Sequence, residues 1–112
     1  RHMTDHRLIV LAALADEIAT RNTASPETSY TAKLLSQGVE KCAKKFGEEA
    51  VELALASVLR NTEQTKAEAA DVLYHLFVLL AASGVKLSDV MAELARRQGV
   101  SGIAEKASRP KD

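Results

Sequence analysis

Apolar residues return at helical spacing along most of the chain. From Thr4 to Arg21, the positions Leu8, Leu11, Leu14, Ala15 and Ile18 share one side of a helix, predicting a first amphipathic helix that ends at Asn22 and Thr23. Residues 24–28 read as a loop, because Pro26 drives Ser25 out of helical geometry. Thr28 or Ser29 is then available to cap a short helix carrying Tyr30, Leu34 and Leu35. Gly38 marks a break. Beyond it Val39, Cys42, Ala43, Phe46, Ala50, Leu53, Ala54 and Ser57 predict a long third helix running to Arg60. Asn61 and Thr62 predict a turn, with Thr62 as the cap of a fourth helix that Gly84 stops after Ser83. Leu87, Val90, Met91 and Leu94 give a short fifth helix ending near Arg97. Residues 98–112, with two glycines, Pro110 and scattered charges, read as a tail that is mobile unless it docks.

The expected architecture is all-α, with about five helices in a single domain over residues 3–97 and a C-terminal tail over 98–112. Arg1 and His2, ahead of Met3, read as an expression scar. Composition agrees: among 112 residues 46% are hydrophobic but only 4% aromatic, and the apolar share is heavy in Ala and Leu, which favour helices over strands. Fifteen basic residues balance fifteen acidic ones, so there is no bulk positive field to bind nucleic acid by counterion release. No apolar run approaches the roughly 20 residues that cross a bilayer. The start shows no secretion signal, and the single cysteine, Cys42, has no internal partner for a disulfide. The expectation is a soluble, cytoplasmic protein with no nucleic-acid or membrane partner.

The fourth helix carries charges where its pattern leaves little room for them. Apolar residues cover most of its circumference, and the remaining narrow stripe holds Glu68, Asp71, Val72, His75 and Leu79. A helix apolar nearly all round is normally buried, so these acids face either a solvent-filled cleft or an ion. On the third helix, Lys41, Lys45, Glu48, Glu52 and Leu59 lie within a sector of about 60°, flanked by Glu49 and Lys44. Glu49 and Glu52 have i,i+3 spacing, as do Glu68 and Asp71, so four carboxylates on two helices joined by a short turn can converge on one point.

Taken singly, each feature has a plainer explanation. Either acidic pair alone reads as a solvated helix face, and Lys45 with Glu49 or Lys44 with Glu48 as ordinary ion pairs worth roughly 0.2–0.5 kcal/mol. His75 reads as a half-buried histidine rather than a ligand, and Cys42 as a small hydrophobe in the core. Together they are more specific. Oxygen-only ligands in close array suit a hard divalent cation, above all magnesium, whereas Cys42 and the histidines lack zinc-ligand spacing. Lysines beside such a site hold polyphosphate, which makes Lys41 and Lys45 phosphate-binding candidates, with Lys33 on the preceding helix as a third. The chemistry implied is metal-assisted displacement at phosphorus.

Glu48-Glu49-x-x-Glu52, fifteen intervening residues, and then Glu68-x-x-Asp71 resemble the signature of the MazG-like superfamily of all-α nucleoside-triphosphate pyrophosphohydrolases. Ser29-Tyr30-Thr31-Ala32-Lys33-Leu34-Leu35, Gly38-Val39-Glu40-Lys41, Lys44-Lys45-Phe46-Gly47-Glu48-Glu49-Ala50 and Asp71-Val72-Leu73-Tyr74-His75-Leu76 narrow the resemblance to the phosphoribosyl-ATP pyrophosphohydrolase family. It runs from Leu8 to Arg97. The resemblance implies hydrolysis of phosphoribosyl-ATP to phosphoribosyl-AMP and pyrophosphate, the second step of histidine biosynthesis. It also implies magnesium ligation at Glu49, Glu52, Glu68 and Asp71, and makes Glu48 a candidate catalytic base that orients water, or a support behind the ligands. Cys42 stands where the family more usually has an aliphatic residue, a departure that touches packing rather than chemistry.

The nearest rival is a housekeeping pyrophosphohydrolase of the same superfamily, which would want base-stacking aromatics in its cleft; such residues are scarce here. An iron-binding carboxylate bundle would need Glu-x-x-His on two helices. His75 instead lies four residues after Asp71, with no second motif. A purely structural dimerisation module leaves the acid stripe unexplained. Too little other helix is present to cover the fourth one, so a homodimer is expected, its third and fourth helices forming a shared four-helix core as the family implies.

Overall fold

A computed structural model of the chain describes residues 6–21, 24–99 and 102–110. The scar at Arg1 and His2, the start of the first helix at Thr4, and its end at Asn22 and Thr23 lie outside the described residues. Every regular element among those residues is helical. After a 3-10 turn over His6–Leu8 come α1 (Ile9–Thr20), α2 (Tyr30–Ser36), α3 (Val39–Val58), α4 (Thr62–Ser83), α5 (Leu87–Arg97) and α6 (Gly102–Ser108). The last forms within the segment expected to be a tail that is mobile unless it docks, and its Ile103 is exposed.

Local chemistry accounts for the helix ends. Ser29 sits in extended geometry and its hydroxyl accepts the Ala32 N–H at 3.1 Å, which decides between the two candidate caps of α2. Thr28 instead donates its hydroxyl to the Ser25 carbonyl. Thr62 was expected to cap α4, but it is the first helical residue. The cap is Asn61, whose extended backbone aims its side-chain oxygen at the Gln64 N–H, 3.0 Å away.

Two helix ends use the same device with different residues. At the end of α4, Gly84 is left-handed at φ 74°, and the N–H groups of Gly84 and Val85 return to the carbonyls of Ala81 and Leu80. At the end of α3, Arg60 takes that place at φ 60°, with Arg60 and Asn61 bonded back to Ser57 and Ala56. This turn folds α4 back along α3, and the hairpin they form is the most extensive helix pairing in the structure.

The core lies where α1, α2 and α3 meet α4. Ile18, Leu34, Cys42, Phe77 and Val78 are buried together, with Leu11, Leu14, Leu35, Leu76 and Leu80 packed around them. Cys42 is indeed a small core residue, but it also donates its thiol to the Leu34 carbonyl at 3.3 Å, tying α3 to α2, and burial pushes that thiol up. The far half of α3 has no such cover. Val51, Leu55, Val58 and Leu59, spaced along one helical stripe, are 58–78% exposed.

Because an L-residue in left-handed geometry carries strain that glycine does not, and the Arg60 side chain is exposed, Arg60→Gly is expected to raise stability by up to about 1 kcal/mol. The urea midpoint at unchanged slope reads this directly, and a lowered midpoint would refute strain at the turn.

Candidate metal and phosphate site

The hairpin brings one acid of α3 against two of α4. Glu49, Glu68 and Asp71 each offer a carboxylate oxygen to a set whose members all lie within 4.8 Å of one another. Glu68 is buried. Its Oε2 accepts a 2.7 Å hydrogen bond from Gln64 Nε2, while Oε1, equally shut off from solvent, has no hydrogen-bond partner. An orphaned buried carboxylate oxygen is costly unless something positive meets it. Burial, followed by the neighbouring charges of Glu52, Asp71 and Glu68, holds the Glu49 carboxyl above its ordinary range. The residues therefore fit a bound cation. Ligand oxygens around a hard six-coordinate cation with bonds near 2.1 Å stand about 3–4 Å apart, within the reach of this set.

The other sequence candidates fall around this centre at different distances. Glu52 is exposed and outside the tight set, although its charge is felt at Glu49. Glu48 is exposed and pairs with Lys45 at 3.4 Å, an i,i+3 contact rather than the i,i+4 pairs weighed from the sequence. Lys41 is exposed one turn before Lys45. Lys33 lies on the rim of an open cleft of about 600 Å³ whose wall includes Tyr30. A roomier groove of about 760 Å³, between α1 and the α4–α5 junction, is lined mainly by apolar residues such as Phe77, Leu80 and Met91 and holds none of the clustered acids.

Tyr30 and Tyr74 were not singled out by sequence reasoning as site residues, yet both tyrosines of the chain pack against each other and against His75, which follows Asp71 on α4. Their rings are nearly parallel, 16° apart with centroids at 6.4 Å, and the Tyr74 hydroxyl is hydrogen-bonded to that of Thr31. His75, one turn beyond Asp71, meets both rings edge-on, with centroids 5.0 Å from Tyr74 and 6.4 Å from Tyr30. It is buried, as expected of a core histidine. Its Nδ1 lacks a hydrogen-bond partner, and burial first, then the charge of Lys45, pushes its pKa down, so it is neutral near pH 7. The Tyr30 phenol and Glu48 in turn hold the Lys45 ammonium in its charged form. The sequence signals for this aromatic group are the family-like segments that begin at Ser29 and at Asp71, neither of which assigns its tyrosine a role.

The profile of a family described as phosphoribosyl-ATP pyrophosphohydrolase matches residues 11–98, the stretch that contains every group just placed. Proteins named phosphoribosyl-ATP pyrophosphatase are similar over nearly their whole length. One from Dinoroseobacter shibae is 59% identical over 100 residues, 89% of this chain and 98% of the relative. One from Paracoccus denitrificans is 61% identical over 99 residues, 88% and 92% of the two chains. One from Methylobacterium radiotolerans is 60% identical over 107 residues, 96% and 97%.

The Glu49 carboxyl binds its proton more tightly folded than unfolded, so the metal-free protein loses stability as pH rises through and above the ordinary carboxylate range. Asp71→Asn removes one of the opposing charges. In the presence of a chelator its melting temperature is expected to equal or exceed that of the wild type at about pH 7, the gain shrinking towards about pH 4 as the acids protonate. A clear drop at neutral pH would show that the three acids do not repel one another in the folded state.

Proposed function

Since the chain belongs to the phosphoribosyl-ATP pyrophosphohydrolase family, we propose that it hydrolyses phosphoribosyl-ATP to phosphoribosyl-AMP and pyrophosphate in histidine biosynthesis, using magnesium. The observation that carries this is the meeting of Glu49, Glu68 and Asp71 around an unpartnered buried oxygen inside the family-matched stretch. Magnesium is favoured because all donors are carboxylate oxygens, and Glu52, one turn along α3 from Glu49, is the candidate to join through a water. When bound, the ion would neutralise charge on the phosphates and orient the attacking water.

The chain's own residues supply the remainder. Lys45 and Lys33, with Lys41 a turn away, hold phosphate oxygens, and the positive charge of Lys45 stabilises the pyrophosphate as its negative charge grows. Glu48, the ion-pair partner of Lys45, is the candidate to take the proton from water as the new phosphorus–oxygen bond forms and the phosphoanhydride bond breaks. The family match favours phosphoribosyl-ATP over the substrates of a housekeeping pyrophosphohydrolase, and the absence of histidine from the acidic set speaks against an iron bundle. The same reading places the chain in the cytoplasm, where the Cys42 thiol stays reduced, without a nucleic-acid or membrane partner. No single described helix is long and apolar enough to cross a bilayer.

Turnover of phosphoribosyl-ATP against a panel of nucleoside triphosphates tests the reaction. The expected result is a preference for phosphoribosyl-ATP that requires magnesium, and comparable rates across the panel would overturn it. In the same assay Glu49→Gln is expected to lose at least about two decades of activity. Lys45→Met is expected to lose about one to two, the worth of a charge-assisted contact of roughly 1.5–3 kcal/mol.

The reading extends to a homodimer. The exposed stripe of Val51, Leu55, Val58 and Leu59 on α3 supports a shared four-helix core in which these residues meet the partner. Sedimentation at low micromolar concentration is expected to give a dimer, and Leu55→Lys with Val58→Lys to give monomer. A wild-type monomer would refute the shared core.

A further inference from the structure

Tyr30 is the first residue of α2 and is 54% exposed, an unusual position for one of only four tyrosine and phenylalanine side chains in the sequence. It is nevertheless held in place. Tyr74 lies nearly parallel to it and is itself fixed by the Thr31 hydroxyl, while buried His75 abuts it edge-on. A ring braced by two others and still open to solvent is a preorganised flat surface, the kind of group on which planar heterocycles stack.

Its surroundings match one end of a nucleotide. The ring forms part of the wall of the open cleft of about 600 Å³ whose rim carries Lys33, the lining being completed by Pro26, Glu27, Thr28 and Ser29. The ring also connects to the phosphate chemistry. Its ring meets His75 edge-on, and His75 stands one turn along α4 from Asp71, a rise of about 6 Å. Tyr30 thus lines a cleft outside the clustered acids and, through His75, adjoins the helix that carries Glu68 and Asp71.

We propose that Tyr30 is the platform on which the adenine of the substrate stacks, with the base in the cleft shared by Tyr30 and Lys33. The inference rests on the phosphoribosyl-ATP reading and adds the part of the site that grips the base. The triphosphate then runs past Lys45 towards Glu49, Glu68 and Asp71. The phosphoribosyl group borne by the adenine falls on the Lys33 side of the cleft, where the ammonium meets its phosphate.

Calorimetric titration of the full chain with the product phosphoribosyl-AMP, and separately with inorganic pyrophosphate, tests this without turnover. Tyr30→Leu is expected to weaken phosphoribosyl-AMP binding by about tenfold or more and to leave pyrophosphate affinity unchanged. Tyr30→Phe, which keeps the ring, is expected to recover nucleotide affinity to within about threefold. Equal weakening of both ligands by Tyr30→Leu would make the residue a brace for Lys45 and overturn the proposal, as would undiminished nucleotide affinity. Failure of the function is separately visible: a wild type that leaves phosphoribosyl-ATP intact overturns both readings, whereas an active wild type with an unaffected Tyr30→Leu overturns the stacking platform alone.

Discussion

Repulsion between carboxylates confined in one hairpin sets the terms for the rest of this fold. Two full negative charges about 4–5 Å apart repel by roughly 1 kcal/mol in bulk water and by on the order of 3–4 kcal/mol where the effective dielectric is near 20, and the site, with Asp71 exposed and Glu68 buried, holds three between those limits. Local propensity cannot hold such an arrangement closed. The packing of α3 and α4, and of α1 and α2 upon α4, must offset it through buried groups such as Val78, Phe77, Leu34 and Ile18. Proton uptake at Glu49 relieves part of the strain, and a cation relieves more. On the proposed reading, a bound cation completes the site that this packing holds together.

Helical periodicity carried much of this and omitted an identifiable part. Spacing fixes which residues share a face of one helix, so the four acids and the lysine stripe were legible before any tertiary structure. It says nothing of how two helices are rotated against each other. That phase decides that Glu68 and Asp71 both turn towards Glu49 while Glu52, about 60° round α3 from Glu49, is left at the rim. The aromatic group was illegible for a related reason. Tyr30 and Tyr74 are far apart in sequence, and only the docking of α2 on α4 stacks them, so scarcity of aromatics in the composition concealed their concentration in one place.

Turn chemistry shows the same division. Gly84 announced the end of α4 because glycine enters left-handed geometry without strain. Arg60 adopts the equivalent geometry with no such signal, and the neighbouring cap moved from Thr62 to Asn61 because the side-chain oxygen one residue earlier reaches the Gln64 N–H. The missed features are therefore tertiary phase and backbone strain. The composition of the helices was not where the reading fell short.

Along α3 these constraints resolve into an order. Its first half presents Lys41 and Lys45, its middle Glu48, Glu49 and Glu52, and its last turns Val51, Leu55, Val58 and Leu59. On the proposed reading, one rigid element thus joins a phosphate-holding end, a cation-holding middle and an uncovered apolar end. On the proposed reading, the partner that covers Leu55 and Val58 acts within two turns of the acids and fixes the angle of α3 against α4. The Arg60 turn fixes the same angle from the other side, through the backbone. Dimerisation and turn geometry then serve one purpose: both restrain a hairpin whose acids would otherwise push it open. On that reading, an apolar stripe within two turns of the acids is part of how the site is held together.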